Sequence, residues 1–429
     1  MVNSSMNSRP LRIHFVLTSL PVGGAETLLL NMIRSMDQIN FAPEVVCLKE
    51  PSELGPSIKA LAPLHCNFLR KKWDIRVLFK LIKLFRDRKA DAVITIGAGD
   101  KMFWGRLAAK LAGVPVICSA LHSTGWPDGV GKLNRLLTPI TDGFIAVAKE
   151  HAKFMVEWEK FPNDKVFMIP NGVDTTRFAP NENAKTWLRD SLGLDHNARL
   201  VGIVAALRHE KNHLQFVDAA VRLIQAGNDA QFVIVGDGPE RSNIEQAIKA
   251  ANLQDRFHLL GSRSDTDKIV AGLDVFCLTS RNEANPVSIL EALSCEVPVV
   301  SPSVGSISET VIPGETGFLT EPLDANDTAK RIQQLLNDSL LAKRLGRNGR
   351  ELVVNSWSLQ SMVEGYQALI ERLYNQKKNS IGQPTWTRQP APTAVLRSES
   401  ANVSAQPVAA ALMPVLSHSA ATYSQGTIG

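Results

Sequence analysis

The segment SRNEANPVSILEALSC, residues 280–295, joins a strand to a helix and carries glutamates at 283 and 291. Before it runs Leu273-Asp274-Val275-Phe276-Cys277-Leu278, apolar enough to read as a buried strand. Asn285 is a good N-cap and Pro286 suits the first helical position. Val287, Ile289, Leu290 and Leu293 supply an apolar face. Glu283 then borders the helix N-terminus, and Glu291 lies roughly 9 Å along its axis. A helix N-terminus offers free N–H groups and partial positive charge, which suit a phosphate. Glu291 can accept from ribose hydroxyls on one side of that phosphate and Glu283 from a sugar on the other. The same pattern also fits a capped surface helix with two unrelated glutamates.

Outward from this segment the chain alternates strands and helices. Leu11–Leu17 reads as a first buried strand, then Pro21-Val-Gly23-Gly24-Ala-Glu26, then a helix from Thr27 to Met36. Strand, double-glycine turn and helix is compatible with a phosphate, and equally with a plain tight turn. Further strands are read at 44–48, 92–96, 114–119, 144–148 and 166–170, and Asn171-Gly-Val-Asp174 marks a turn. This alternation predicts a doubly wound α/β domain. A second pattern begins with the strand Leu200–Leu207, which delivers Arg208-His-Glu-Lys211-Asn212. Two cations just past a strand's carboxyl end stand where such sheets bind ligands and can neutralise a leaving diphosphate. Solvated loop cations are the plainer reading. Val114–Ser119 leads to Leu121-His122-Ser123, and a lone histidine there is by itself more often structural.

The Glu283-x7-Glu291 spacing resembles the motif of family-4 retaining glycosyltransferases, with Ser280, Pro286 and Ala292 also matching. The resemblance runs over roughly residues 11–375 and is carried by five motifs in order: Gly23-Gly24-Ala-Glu26, the His122 strand end, Asn171–Asp174, Arg208-x-x-Lys211-Asn212, and the glutamate pair. It implies two facing Rossmann-like domains (the GT-B architecture): 11–175 on the acceptor side, 176–357 binding the nucleotide sugar, and a helix at 358–377 returning to the first domain. In the family, Gly23 and Gly24 would face the donor phosphates, and Arg208 and Lys211 would hold the diphosphate. Glu283 and His122 would hold the sugar and Glu291 the ribose. Asn285, Pro286 and Val287 would line the donor site, and Arg263 would lie by the nucleotide base. The implied activity is transfer from a nucleotide-diphosphate sugar, UDP-linked by expectation, to a lipid-linked or polysaccharide hydroxyl, with no metal or other cofactor. Departures from the family are Ala284, where Gly is usual and Ala is mildly strained if φ is positive, the Gly97–Asp100 turn without His, and Ala148 in place of Ser. An epimerase or phosphorylase on the same fold, and a non-catalytic scaffold with a degenerate site, stay open.

The composition fits this reading. The 429 residues allow two domains and more, and 44% are apolar. A net charge of +5 is too modest to argue for nucleic acid. The five cysteines form no C-x-x-C pair, and most read as buried thiols of a reducing compartment. No signal-peptide pattern or membrane-length apolar run is read, so a cytoplasmic place is expected. Between Arg70 and Lys89 nine residues are basic and two acidic. The helix read at 73–89, with Ile75, Leu78, Phe79, Ile82 and Phe85 on one face, suits either an anionic membrane surface or ordinary packing on a sheet. Residues 1–10 read as a flexible start and 378–429, rich in Ser, Ala, Pro, Thr and Gln, as a disordered tail.

Overall fold

The structure is a computed structural model that describes residues 9–69, 74–97, 100–122 and 135–381, with the backbone alone at 100–102 and 380–381. The flexible start up to residue 8, residues 70–73 of the basic segment, Ala98 and Gly99, Ser123, and the tail from 382 lie outside the described residues.

The first sheet comprises β1 (Leu11–Leu17), β2 (Phe41–Cys47), β3 (Leu64–His65), β4 (Ala92–Ile96), β5 (Val116–Ala120), β6 (Gly143–Ala146) and β7 (Val166–Met168). All neighbours pair in parallel, in the order β3-β2-β1-β4-β5-β6-β7. The helices between them are α1 (Gly24–Ser35), α2 (Gly55–Lys59), α3 (Arg76–Asp87), α4 (Asp100–Ala112) and α5 (Lys149–Glu157). Apolar runs such as FVL in β1 and AVITI in β4 are covered on both faces, which is why they carry no polar alternation.

The second half contains α6 (Glu182–Ser191), β8 (Leu200–Val204), α7 (His213–Gln225), β9 (Gln231–Val235), α8 (Arg241–Ala250), β10 (Phe257–Leu259), α9 (Thr266–Ala271), β11 (Val275–Cys277), α10 (Val287–Ser294), β12 (Val299–Pro302) and β13 (Gly317–Thr320). Its parallel sheet runs β10-β9-β8-β11-β12-β13. Gly314, with φ +74°, makes a tight turn that feeds β13 in parallel beside β12. Helices α11 (Ala325–Asn337) and α12 (Ser339–Ser356) start at Asp324 and Asp338, whose carboxylates cap their first turns.

Helix α13 (Leu359–Ile381) then packs Met362, Val363, Tyr366, Leu369, Ile370 and Leu373 into the same core as β1, β2 and β4. It continues past Tyr374, into what the composition suggests as tail. The return crossing lies against the outgoing one. Val173 N–H donates to Trp357 O and Leu359 N–H to Val173 O, at 3.0 and 2.8 Å. A side chain at Gly172 would meet Ser358 O at 2.4 Å, so this crossing admits only glycine without movement. The fold is two Rossmann-like domains. In each the strand order reverses beside the central strand, between β1 and β4 and between β8 and β11, where such sheets open a crevice.

The face of α3 differs from expectation. Val77, Leu81 and Phe85 are buried, Leu78 and Ile82 pack partly, and Ile75 and Phe79 point outward at 63% and 67% exposure. Val77, Leu81 and Phe85 form the face that packs on the core, so the Ile75–Phe79 edge is turned away from it.

Candidate active site

The two loops at the second domain's switch point are stitched together. Thr279 Oγ1 donates to Lys211 O and Asn212 O at 3.2 and 3.0 Å, and Arg281 N–H donates to Glu210 O at 2.8 Å. Asn212 takes a left-handed φ of 52°, which turns the chain sharply from the β8 loop into α7. Lys211 is thereby aimed at Glu283: its Nζ donates to Oε1 at 2.5 Å, and Ser280 Oγ donates to the same oxygen at 2.6 Å. The Glu283 side chain is 10% exposed, so this is a partly desolvated, hydrogen-bonded charge pair rather than a solvated contact.

The backbone of Glu283 is braced from behind. Ser306 N–H donates to its carbonyl oxygen at 3.3 Å. Gly305 has φ +54°, and a side chain there would sit 1.6 Å from that oxygen, so two independent constraints select glycine. Ala284 is buried and outside the positive-φ region, so the strain entertained from sequence does not arise.

Helix α10 begins at Val287, with Pro286 in the N-cap position and no side-chain cap. Asn285 therefore does not cap it, and Pro286 stands one residue before the first helical position. The Asn285 carbonyl makes a long-range contact instead: its oxygen accepts from Asn171 Nδ2 of the first domain at 2.9 Å. The Asn285 amide is buried, and its Nδ2 and Oδ1 have no partner among the described residues. Val287 packs on the first domain's core. The open end of α10 thus lies at the seam between the domains.

Glu291 is the fifth residue of α10, about 6 Å along the axis from Val287. Burial pushes its carboxyl up to about 8, against the pull of Arg177 and with a smaller push from Asp267. Arg177 bonds Asp267 Oδ1 at 3.0 Å and Ser264 O at 2.7 Å, so Glu291 faces the 264–267 loop. One end of α10 carries the Lys211–Glu283 pair and the flank behind it carries Glu291. Arg208 sits on the same loop as Lys211, 58% exposed and 4.0 Å from Glu210. Arg263, on the loop expected beside the nucleotide base, pairs with Asp265 through bonds of 2.8 and 2.7 Å.

On the first domain, Gly23 is the N-cap of α1 in extended conformation, and a side chain there would meet Glu26 Oε2 at 2.6 Å. Gly24 opens on empty space within 4 Å, so a ligand can approach that backbone. His122 follows β5, with Nδ1 buried and lacking a partner among the described residues. Burial, then His151, lowers its basicity to about 4, which keeps the ring neutral at pH 7. No group of three or more His, Cys, Asp or Glu among the described residues can hold a metal ion, and no described helix is long and apolar enough to cross a membrane.

Sequence reasoning named Glu283, Glu291, Lys211 and the α10 end. It missed the side-chain role of Asn171, read only as a turn, and that of Arg177, which it did not single out. It also missed Thr279, which holds the two loops together.

Comparison with known proteins agrees with this geometry. Residues 22–177 match the family model described as Glycosyltransferase Family 4, and residues 185–352 match Glycosyl transferases group 1. The chain is 30% identical over 323 residues to the UDP-Gal:alpha-D-GlcNAc-diphosphoundecaprenol alpha-1,3-galactosyltransferase of Escherichia coli, covering 72% of this chain and 83% of that protein. It is 28% identical to the N-acetyl-alpha-D-glucosaminyl L-malate synthase of Bacillus anthracis, covering 72% and 81%. The fold is shared with the HepE protein of Anabaena in complex with UDP, at a TM-score of 0.74, 20% identity and coverage of 84% and 100%. A glycosyltransferase of Rickettsia africae gives the same TM-score, covering 85% and 98% at 20% identity. The chain belongs to glycosyltransferase family 4 and is a glycosyltransferase that takes its sugar from a nucleotide-sugar donor.

Proposed function

We propose that the chain is a retaining, metal-independent glycosyltransferase moving a sugar from a UDP-sugar to a hydroxyl of a lipid-linked or polysaccharide acceptor. The observation that carries this is the Lys211–Glu283–Ser280 cluster beside the open end of α10, with Glu291 one turn behind. The diphosphate binds Arg208, Lys211 and the N–H groups near Val287, with Gly23 and Gly24 closing from the first domain. Pro286 and the Asn285 amide line the same end. Glu291 accepts from the ribose, and Glu283 and the neutral His122 bond sugar hydroxyls. As the bond from the anomeric carbon to the diphosphate oxygen breaks, negative charge grows where the two cations and the helix end stabilise it. The acceptor hydroxyl attacks the same face of the anomeric carbon and passes its proton to the departing phosphate oxygen. The products are a nucleoside diphosphate and a glycoside of unchanged anomeric configuration. Glu283 is occupied by Lys211 and Ser280, which leaves it unlike the free nucleophile of paired-carboxylate glycosidases.

The UDP-linked donor and lipid-linked acceptor named for the Escherichia coli relative support the substrate classes. The exposed Ile75 and Phe79 beside Arg76, Lys80 and Lys83 on α3 support an anionic membrane surface as a further partner. A hydrolysis screen over UDP-, GDP- and ADP-sugars, followed by transfer to membrane extract and NMR of the anomeric proton, tests the reading. UDP-sugar turnover with a retained anomer is expected. Donor isomerisation without acceptor, or an inverted product, contradicts it. Cosedimentation with vesicles that shows no dependence on anionic lipid removes the membrane partner.

A further inference from the structure

We propose that Glu309, a second-domain residue, is a positioning residue that ties the loop of Glu283 to the first turn of α5 in the first domain. Helix α5 starts after Ala148, which is extended (φ −165°, ψ 167°) and has no side chain able to cap. Its first N–H groups, of Lys149 and Glu150, donate instead to Glu309 Oε2 and Oε1, each at 3.0 Å. A helix start ordinarily draws its cap from the residue just before it. Here the cap comes from a residue about 160 positions later, across the domain boundary. A carboxylate straddling two N–H groups at a helix's positive end is a charge-assisted pair with defined geometry.

Both ends of this tie lead to the site. Glu309 closes the short turn Ile307–Glu309, and Ser306, just before that turn, is the residue whose N–H braces the Glu283 carbonyl. Across the boundary, the first turn of α5 carries His151, which is buried and accepts from Val147 N–H at 3.3 Å. His151 lies close enough to His122 to oppose protonation there. One carboxylate therefore sets the backbone of the Glu283 loop relative to the turn beside His122. The two groups proposed to hold the transferred sugar come from different domains, so the distance between them is fixed only when the domains are held together. The catalytic consequence rests on the sugar-binding reading of Glu283 and His122. The contact itself does not.

The test uses Glu309→Ala, Glu309→Gln, and Ala148→Asp introduced into the Glu309→Ala chain. In the protein alone, Glu309→Ala is expected to speed amide exchange at Lys149 and Glu150 by about tenfold, the loss of a hydrogen bond to a charged group. In turnover, kcat is expected to fall about tenfold while UDP affinity stays near that of the parent. Glu309→Gln, which keeps one acceptor oxygen, falls between. Ala148→Asp gives α5 a local cap, so it restores exchange protection without restoring the tie between domains. Unchanged exchange in Glu309→Ala overturns the contact. Unchanged kcat, or recovery of kcat on adding Ala148→Asp, overturns the positioning role and leaves only helix capping. A parent chain that neither binds UDP nor turns over any nucleotide sugar is a failure of the donor reading, and the exchange measurement still decides the contact.

Discussion

At the carboxyl edge of the second sheet, polar side chains bond one another: Lys211 to Glu283, Ser280 to Glu283, Thr279 to the Lys211 and Asn212 carbonyls. At the matching edge of the first sheet, Gly24 faces open space and the buried His122 Nδ1 has no described partner. Both edges lie at a switch point of the same strand order, so topology alone does not separate them. The difference is preorganisation. The second domain presents fixed charges and needs little rearrangement to receive a diphosphate. The first presents backbone space and one neutral ring, suited to closing over a ligand already bound.

The contrast fails first if the fixed charges are dispensable. Replacing Arg208 and Lys211 together by Ala should lower kcat by about a thousandfold or more, since each removes a stabiliser of the departing diphosphate and Glu283 keeps only Ser280 and no cation. Transfer at the parent rate in that double variant would show the cluster to be structural. Glu283→Gln keeps hydrogen bonding to Lys211 and Ser280 but loses the charge. We expect a drop in kcat/KM of about ten- to a hundredfold, read in the same assay.

The pH dependence of unfolding sharpens the comparison, because the two edges titrate with opposite sign. The folded His122 binds its proton only near pH 4 rather than 6.5. Its stabilising contribution is present above pH 6.5 and is lost as pH falls toward 4. Glu291 has its folded value raised from 4.5 to about 8. Stability there is highest below pH 4.5 and declines as pH rises to about 8. His122→Asn should remove about 3 kcal/mol of the stability change between pH 6.5 and 4, and Glu291→Gln about 5 kcal/mol of that between pH 4.5 and 8, measured by urea unfolding across pH. Slopes unchanged in both variants would place the two groups in solvent. The smallest effect belongs to Ala284→Gly. Because Ala284 is buried with φ outside the left-handed region, restoring the family's glycine should cost about 1 kcal/mol or less and leave activity unchanged.

Much of this was legible in the sequence because parallel strands buried on both faces are short apolar runs, and the site residues follow directly at their ends. LRIHFVL and LVGIV announce their strands, and Gly23-Gly24, Arg208–Lys211 and Glu283 come immediately after. What escaped depends on contacts between distant residues. Asn285, expected as the cap of α10, instead gives its carbonyl to Asn171 of the other domain. The outward Ile75 and Phe79 reflect which face of α3 packs on the core, and the Glu309 cap joins residues about 160 apart.

Titration calorimetry with UDP tests the central claim most directly, since it asks only whether the second domain's cleft receives the nucleotide. One site is expected in the parent chain, with affinity at least about tenfold weaker in Lys211→Ala and in Glu291→Gln, as one removes a cation beside the open end of α10 and the other a hydrogen-bonding partner one turn behind it. Equal UDP affinity in all three proteins would contradict the account.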